Sequence, residues 1–280
     1  MGRAPARSLG SEVIAMRVAV LGGGVMGETL ASGLLRYVTP RPSVVVAEKR
    51  RDRREELRSR HDVDLAEPAA AVAGADVILL AVKPQDAGAL LDDICGQVPA
   101  DALVISICAG ITTAFIEQRL PAGVAVVRAM PNTPARVDRS TTGVSAGVGC
   151  PPASLAIAVS LLESVGAVVE VPEALQDAVT AVSGSGPAYV FYLAEAMIEA
   201  GVGLGLDPMT AQRLVRNTLL GAAVLLDVSD ETAGGLRRDV TSPNGTTAAA
   251  ISTMDRLGVR QSLVSAITAA RDRSRELSGG

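Results

Sequence analysis

Short apolar runs alternate with segments of helical periodicity through the first half of the chain. Each run is almost continuously hydrophobic, which is typical of a strand buried on both faces of a parallel sheet. Helices are predicted at 25–35 and 52–60. Strands are predicted at residues 18–21, 43–47, 76–82, 102–107 and 124–127, with 141–148 as a last edge strand. This alternation predicts an α/β fold with a doubly wound parallel sheet.

The pattern becomes almost wholly helical from residue 172 onward, after a helix at 153–164 and a short strand at 167–171. Helices are predicted at 187–201, 208–227, 245–257 and 260–277. Their broad apolar faces are expected to be partly buried against a second subunit. The predicted organisation is therefore a disordered extension (1–15), a parallel-sheet domain (16–171) and an all-α domain (172–280).

Three glycines follow the first predicted strand with G-x-G-x-x-G spacing, at Gly22, Gly24 and Gly27. The first glycine allows a tight turn, the second lets a pyrophosphate approach, and the third lets the helix pack closely on the strand. The helix that starts at Val25 and Met26 offers free N–H groups to the phosphates. The sheet domain is thus predicted to be a Rossmann-type dinucleotide-binding domain, with a plain glycine-rich turn as the alternative.

Charge at the end of the second strand gives two conflicting signals about the dinucleotide. Glu48 lies about twenty residues beyond Gly27, where an acidic side chain bonds the ribose of NADH. Lys49 and the two arginines after it would suit the 2′-phosphate of NADPH, although a solvated helix start explains them as well. NADPH is slightly favoured, and NADH remains the alternative.

Composition excludes several other classes of function. The net charge of −4 argues against a nucleic-acid binder, and no apolar run is long enough to predict a membrane helix. The three cysteines share no short spacing, which indicates neither disulfides nor a metal site and favours a cytoplasmic location. His61 is the only histidine, and its charged surroundings predict a solvated helix end, so histidine-based catalysis and histidine metal sites are excluded.

Ligands of a doubly wound sheet lie beyond the carboxyl ends of its strands, so the turns there are expected to share one crevice. Besides the glycine turn, these turns contain Ala81, Val82, Lys83, Pro84, Ala109, Gly110 and Asn132. Two turns rich in Ser, Thr and Gly precede helices of the second domain. They contain Ser183, Gly184, Ser185, Gly186 and Pro187, and Ser242, Gly245, Thr246 and Thr247.

Such turns collect N–H groups, hydroxyls and positive helix ends that can hold a carboxylate, although ordinary N-capping by Ser183, Ser185 or Thr246 is an equal alternative. Their occurrence twice in one domain favours a small carboxylate substrate. No strong base accompanies either turn, and alcohol oxidation usually needs one. Reduction of a protonated C=N bond is therefore favoured.

The chain resembles the Δ1-pyrroline-5-carboxylate reductases through GGGVMG, AVKP, ICAGI, RAMPNTPA, AVSGSGPAYVF and VTSPNGTT, from about residue 17 to 270. The resemblance implies reduction of the cyclic imine to L-proline with NAD(P)H, and a helical dimerisation domain whose dimers often form rings. It implies that the two serine-rich turns hold the substrate carboxylate, with Thr247 beside the ring nitrogen and Ser242 near it. Ala81 to Pro84, Ala109, Gly110 and Asn132 would face the cofactor, with Lys83 near the nicotinamide ribose.

Two features depart from the family pattern. Asn244 replaces a usual glycine, although asparagine tolerates a left-handed backbone. A glutamate near the substrate pocket corresponds to either Asp230 or Glu231. The alternative enzyme, a β-hydroxyacid dehydrogenase-like reductase, would need a catalytic lysine, and residues 172–270 contain none. A non-enzymatic nucleotide-binding scaffold would have no reason to keep both turns.

Overall fold

The computed structural model describes residues 15–277, and most of the predicted extension (1–15) lies outside them. The first compact unit, residues 15–184 with 271–277, contains one eight-stranded sheet in the order β3-β2-β1-β4-β5-β6-β7-β8. Strands β1 to β6 are parallel, whereas β7 runs antiparallel to β6 and β8 pairs parallel with β7. The strands are β1 (Arg17–Leu21), β2 (Ser43–Ala47), β3 (Asp64–Leu65), β4 (Val77–Leu80), β5 (Leu103–Ser106), β6 (Ala125–Met130), β7 (Ser140–Ala146) and β8 (Gly166–Glu170).

Helices cover both faces of this sheet, which is why its central strands read as continuous apolar runs. In β1, Val18 and Val20 enter one core while Ala19 and Leu21 enter the other, and each is at most 1% exposed. The helices of this unit are α1 (Val25–Tyr37), α2 (Arg51–Arg60), α3 (Pro68–Val72), α4 (Pro84–Ile94), α5 (Thr113–Glu117), α6 (Pro152–Leu162) and α7 (Gln176–Val179).

The second compact unit, Ser185–Ala270, is helical. It contains α8 (Gly186–Gly203), α9 (Pro208–Val228), α10 (Ala233–Asp239), α11 (Thr246–Arg256) and the first part of α12 (Val259–Leu277). Ala211 and Val215 are its buried hydrophobic residues, whereas Phe191 and Tyr192 on α8 are 63% and 76% exposed. A single copy of this unit therefore leaves large apolar faces uncovered, as the sequence predicts.

The predicted doubly wound sheet and helical second half are confirmed, but several details are corrected. The strand predicted at 141–148 is not an edge strand, because β8 pairs along its outer side. Helix α10 was not predicted, since Gly234 and Gly235 are weak helix formers, and Thr232 caps its N-terminus instead. The division between the compact units falls after Gly184, whereas the functional boundary at 172 stays a prediction.

None of the helices within residues 15–277 is long and apolar enough to cross a membrane.

Candidate cofactor cleft and substrate turns

Two of the three motif glycines, Gly22 and Gly24, lie between β1 and α1, and Gly27 lies in the first turn of α1. Gly22 has φ +109°, and a Cβ built there would lie 2.5 Å from the Ala81 carbonyl oxygen. A Cβ at Gly27 would overlap the Gly22 carbonyl oxygen, so α1 can approach β1 only through glycine. A Cβ at Gly24 would meet nothing within 4 Å. Gly22 and Gly27 are therefore required by packing, while Gly24 leaves open space beside the loop.

A cleft of about 890 Å³ opens from this loop at the carboxyl ends of β1, β2 and β4. Among the predicted cofactor residues, it is lined by Gly22, Gly24, Val25, Glu48, Lys49, Ala81, Val82 and Lys83. Glu67, Pro68, Gln85, Asp86, Leu90 and Asp93 also line it and were not predicted. They come from the start of helix α3 and from positions along helix α4, which carry no glycine signature that would reveal them.

The N-terminus of α1 faces this cleft without a side-chain cap. Gly24 is the N-cap residue, and its carbonyl oxygen accepts the first helical hydrogen bond from the Glu28 N–H at 2.9 Å. The N–H groups of Val25 and Met26 therefore have no partner within the helix. Free N–H groups, a positive helix end and open space at Gly24 fit a dinucleotide pyrophosphate.

Two charged side chains hold the Gly23 peptide from opposite sides. The Gly23 N–H donates to Glu48 Oε2 at 3.1 Å, and Arg53 Nε donates to the Gly23 carbonyl oxygen at 2.8 Å. The other oxygen of Glu48 accepts from the Arg50 N–H at 2.9 Å. Glu48, predicted to bond a ribose, thus supports the glycine loop through one carboxylate oxygen and the segment after β2 through the other.

Arg53 belongs to a buried ionic cluster behind the glycine loop and is 8% exposed. Its guanidinium pairs with Glu28 and Glu56, and His61 Nε2 lies 2.8 Å from Glu28 Oε1. Burial alone would raise the pKa of Glu28, but hydrogen bonds from Arg53 and His61 outweigh it and hold that pKa below its ordinary value. His61 is the C-cap residue of α2, so the predicted helix end is confirmed, but its side chain is only 19% exposed and contacts Glu28 of α1, so the prediction that it is solvated is wrong.

The turns after β4 and β5 are joined by Cys108. Its Sγ lies 3.2 Å from the carbonyl oxygen of Val82 and is buried, which raises the pKa of the thiol to about 11. Lys83 is exposed at the start of α4, where Pro84 occupies the first turn as predicted. Ala109 is exposed beside Gly110, which has φ +77°. Because β4 and β5 are parallel neighbours, these turns lie at the same edge of the sheet.

Asn132 lies in the turn after β6 and is 9% exposed. Its Nδ2 donates to both the carbonyl oxygen and Oγ of Ser183 at 3.2 Å. Its Oδ1 accepts from Ser140 Oγ at 3.2 Å and from the Thr141 N–H at 3.1 Å. The structure thus brings a predicted cofactor residue, Asn132, together with a predicted substrate residue, Ser183.

The first serine-rich turn begins inside a π-helical segment, Thr180–Gly184, that leads to α8. Ser185 is the N-cap residue of α8, and Pro187 lies in its first turn, but no side chain caps this helix. A Cβ at Gly184 would lie 2.8 Å from Cε of Met130, so glycine allows this close contact. The ordinary N-capping alternative is therefore not what the hydroxyls of this turn do.

The second serine-rich turn is closed by one main-chain bond, from the Gly245 N–H to the Ser242 carbonyl oxygen at 3.0 Å. Asn244 has φ +59°, the left-handed conformation that its replacement of glycine requires. Gly245 is the N-cap residue of α11, and again no side chain caps the helix. Thr246 and Thr247 form its first turn, so their N–H groups have no helical partner, as a carboxylate site needs.

Asp230 and Glu231 are both exposed in the segment between α9 and α10. Within residues 15–277, no cluster of metal-ligating side chains is found.

Two known families match this chain, one in its sheet-containing half and the other in its helical half. Residues 173–277 match the family described as pyrroline-5-carboxylate reductase dimerisation. Residues 17–110 match the family described as NADP oxidoreductase, coenzyme F420-dependent. The helical half thus belongs to a dimerisation family, and the chain forms a homo-oligomer.

Individual relatives match over nearly the whole chain. Pyrroline-5-carboxylate reductase from Mycobacterium tuberculosis is 41% identical, over 93% of this chain and 96% of that protein. The Synechocystis enzyme of the same name is 40% identical, over 94% of this chain and 99% of that protein. The solved pyrroline-5-carboxylate reductase from Coxiella burnetii aligns with a TM-score of 0.85 at 34% identity, over 94% of this chain and 98% of that one. The Plasmodium falciparum pyrroline carboxylate reductase with NADP bound aligns with a TM-score of 0.83 at 26% identity, over 94% of this chain and 98% of that one. The chain is therefore a member of the pyrroline-5-carboxylate reductase family.

Proposed function

We propose that this chain reduces Δ1-pyrroline-5-carboxylate to L-proline with NAD(P)H, the last step of proline biosynthesis. One observation carries the proposal: a chain related to these reductases over 93% of its length also has an open, uncapped phosphate turn at the edge of its sheet. A non-enzymatic scaffold would not need the two uncapped serine-rich turns, and a β-hydroxyacid dehydrogenase would need a lysine that residues 172–270 lack.

The reaction requires little acid–base catalysis by the side chains of the protein. One hydride adds to the imine carbon and one proton remains on the ring nitrogen, which gives the secondary amine. Bound NAD(P)H supplies the hydride. A C=N bond that is already protonated needs no strong base, so the residues mainly bind, orient and stabilise charge.

The roles of the site residues follow from the free donors. The N–H groups of Val25 and Met26 would hold the pyrophosphate beside Gly24. The N–H groups of Thr246 and Thr247, at the start of α11, would hold the substrate carboxylate, while the Gly245 N–H closes the turn. The Thr247 hydroxyl would bond the ring nitrogen, with Ser242 in the same turn. Lys83, exposed on the cleft, would lie near the nicotinamide ribose.

NADPH is the proposed preference, with NADH as the alternative. Lys49 lines the cleft and is 82% exposed, with one long ion pair to Asp86 at 3.4 Å. Arg50 lines the cleft as well. Both carboxylate oxygens of Glu48 already accept main-chain N–H groups, one from Gly23 and one from Arg50, so each has a partner before any ribose binds. Basic side chains at the cleft rim thus favour a 2′-phosphate.

Steady-state turnover of Δ1-pyrroline-5-carboxylate with NADPH and with NADH tests the proposal. We expect proline to form with both cofactors and kcat/KM to be higher with NADPH. A folded, oligomeric sample that makes proline with neither cofactor would refute the activity, whereas a higher kcat/KM with NADH would refute only the preference.

We further propose a dimer as the unit of assembly, with rings of dimers as its extension, and a cytoplasmic location. The exposed apolar faces of α8 and α9 support the dimer, and three free cysteines support a reducing compartment. Light scattering of the purified protein measures the assembly size, and a monomer at micromolar concentration would contradict the dimer.

A further inference from the structure

The side-chain amide of Asn132 is held at both of its ends inside the protein. A primary amide has two protons on nitrogen and two lone pairs on oxygen. The nitrogen donates to the carbonyl oxygen and Oγ of Ser183, and the oxygen accepts from Ser140 and Thr141. These bonds give Asn132 a role within the protein besides the cofactor contact that family resemblance implies.

The hydroxyl of Ser183 is committed in the same way. Its oxygen accepts from Asn132 Nδ2, and its only proton is donated to the Thr141 carbonyl oxygen at 3.1 Å. Ser183 therefore has no proton to offer to a substrate carboxylate.

The segment that these bonds hold is irregular. Thr180–Gly184 is π-helical, and such turns are frequent at functional sites and lack the regular α-helical bonds. Met130 also packs against Gly184, where a Cβ would lie 2.8 Å from the methionine methyl carbon. The end of β6 and the turn after it thus hold two successive residues, Gly184 by packing and Ser183 by hydrogen bonds.

We infer that Asn132 is a positioning residue, which fixes Ser183 so that the turn leading into α8 is preset for the substrate carboxylate. This inference rests on the proposed function. It changes the expected consequence of losing the side chain, because the defect falls on the substrate and leaves the cofactor unaffected.

The test compares Asn132→Ala, Ser183→Ala and the double variant with wild type. Two quantities are measured: steady-state constants for Δ1-pyrroline-5-carboxylate, and the dissociation constant of NADPH alone by its nicotinamide fluorescence. Asn132→Ala is expected to raise the substrate KM about tenfold or more, since one hydrogen bond to a charged group is worth about a factor of ten or more in binding. NADPH affinity and, largely, kcat are expected to stay the same. The double variant should be no worse than Asn132→Ala, because both changes break one support.

Ser164→Ala is the matched control. Ser164 is also buried, and its hydroxyl donates to the Leu161 carbonyl oxygen at 2.6 Å, a bond that involves neither Asn132 nor Ser183. It should lower stability without changing the substrate KM. A comparable rise in KM in this control would overturn the inference, because any lost buried bond would then suffice.

Other results would overturn the inference in distinguishable ways. Weaker NADPH binding with an unchanged substrate KM in Asn132→Ala would make Asn132 a cofactor ligand. Effects of the two single variants that multiply would mean that Ser183 binds substrate independently. A wild-type protein that binds NADPH without reducing the imine would refute the proposed function together with the inference. Should Asn132→Ala not fold, Ser183→Ala decides alone, and a normal substrate KM in that variant would overturn the inference.

Discussion

Replacing Gly24 by valine should separate cofactor binding from folding. Gly24 has φ −64° and ψ −177°, a conformation that any residue adopts, and a Cβ there meets nothing within 4 Å. Valine is a poorer N-cap residue than glycine by about 1 kcal/mol, but replacing glycine also removes about 0.4–1 kcal/mol of unfolded-state entropy. The free energy of unfolding should therefore change by less than about 1 kcal/mol.

The free energy of NADPH binding should change far more than the free energy of unfolding. The valine methyl groups would fill the space that a pyrophosphate needs beside the N–H groups of Val25 and Met26. Each charge-assisted bond to a phosphate is worth about 1.5–3 kcal/mol. Losing two of them costs about 3–6 kcal/mol, which weakens NADPH binding by about two to four orders of magnitude.

Nicotinamide fluorescence measures NADPH binding, and thermal unfolding without cofactor measures stability. Gly22→Ala is the matched control, since its Cβ would lie 2.5 Å from the Ala81 carbonyl oxygen at φ +109° and should destabilise the fold itself. Normal NADPH affinity in Gly24→Val would refute the reasoning, because the glycine turn would not then be the phosphate site.

Three further changes have distinct expected results. Thr247→Ala should lower kcat with little effect on NADPH binding, and unchanged turnover would remove that hydroxyl from the reaction. Arg53→Met should cost about 1.5–3 kcal/mol of stability by removing the main partner of Glu28, which keeps His61 and Arg60, whereas Arg54→Met, which breaks a pair with exposed Glu67, should cost under about 1 kcal/mol in chemical denaturation. Because the pKa of Glu28 is lowered in the folded state, its contribution is full above its ordinary value of 4.5 and is lost as pH falls through the lowered value. The gap between wild type and Arg53→Met should therefore narrow in acid, and a constant gap would contradict the ion-pair account. Lys49→Ala should reduce kcat/KM for NADPH more than for NADH, and an equal reduction would argue against a 2′-phosphate contact.

Local patterns were enough to predict the centre of the fold. Strands β1, β2, β4, β5 and β6 are buried on both faces, so each one appears as an apolar run, and the glycine spacing identifies the turn between β1 and α1. The two-residue strand β3 is partly exposed, has no apolar run and was not predicted. The edge was harder to predict, because the pairing of β7 with β8 depends on residues far apart in the chain. Nothing in the sequence of β7 distinguishes an outer strand from an inner one.

The parts of the site that the sequence did not reveal depend on distant partners. Arg53 lies in a run of charged residues that reads as solvated, and its partners Glu28 and Gly23 belong to another part of the chain. Asn132 and Ser183 are separated by 51 positions, so no spacing indicates their bond. The sequence predicts which turns carry the chemistry, whereas the hydrogen bonds that support those turns become visible only in the structure.

Transfer of a labelled hydride tests the central claim most directly. The purified protein is incubated with Δ1-pyrroline-5-carboxylate and NADPH deuterated at the transferable position, and the proline formed is analysed by mass spectrometry. We expect the wild-type protein to form proline with one deuterium on the former imine carbon. We expect Gly24→Val to form almost none of this labelled proline. Proline without label, or no proline from a folded oligomer, would contradict reduction by the cofactor bound at the glycine turn.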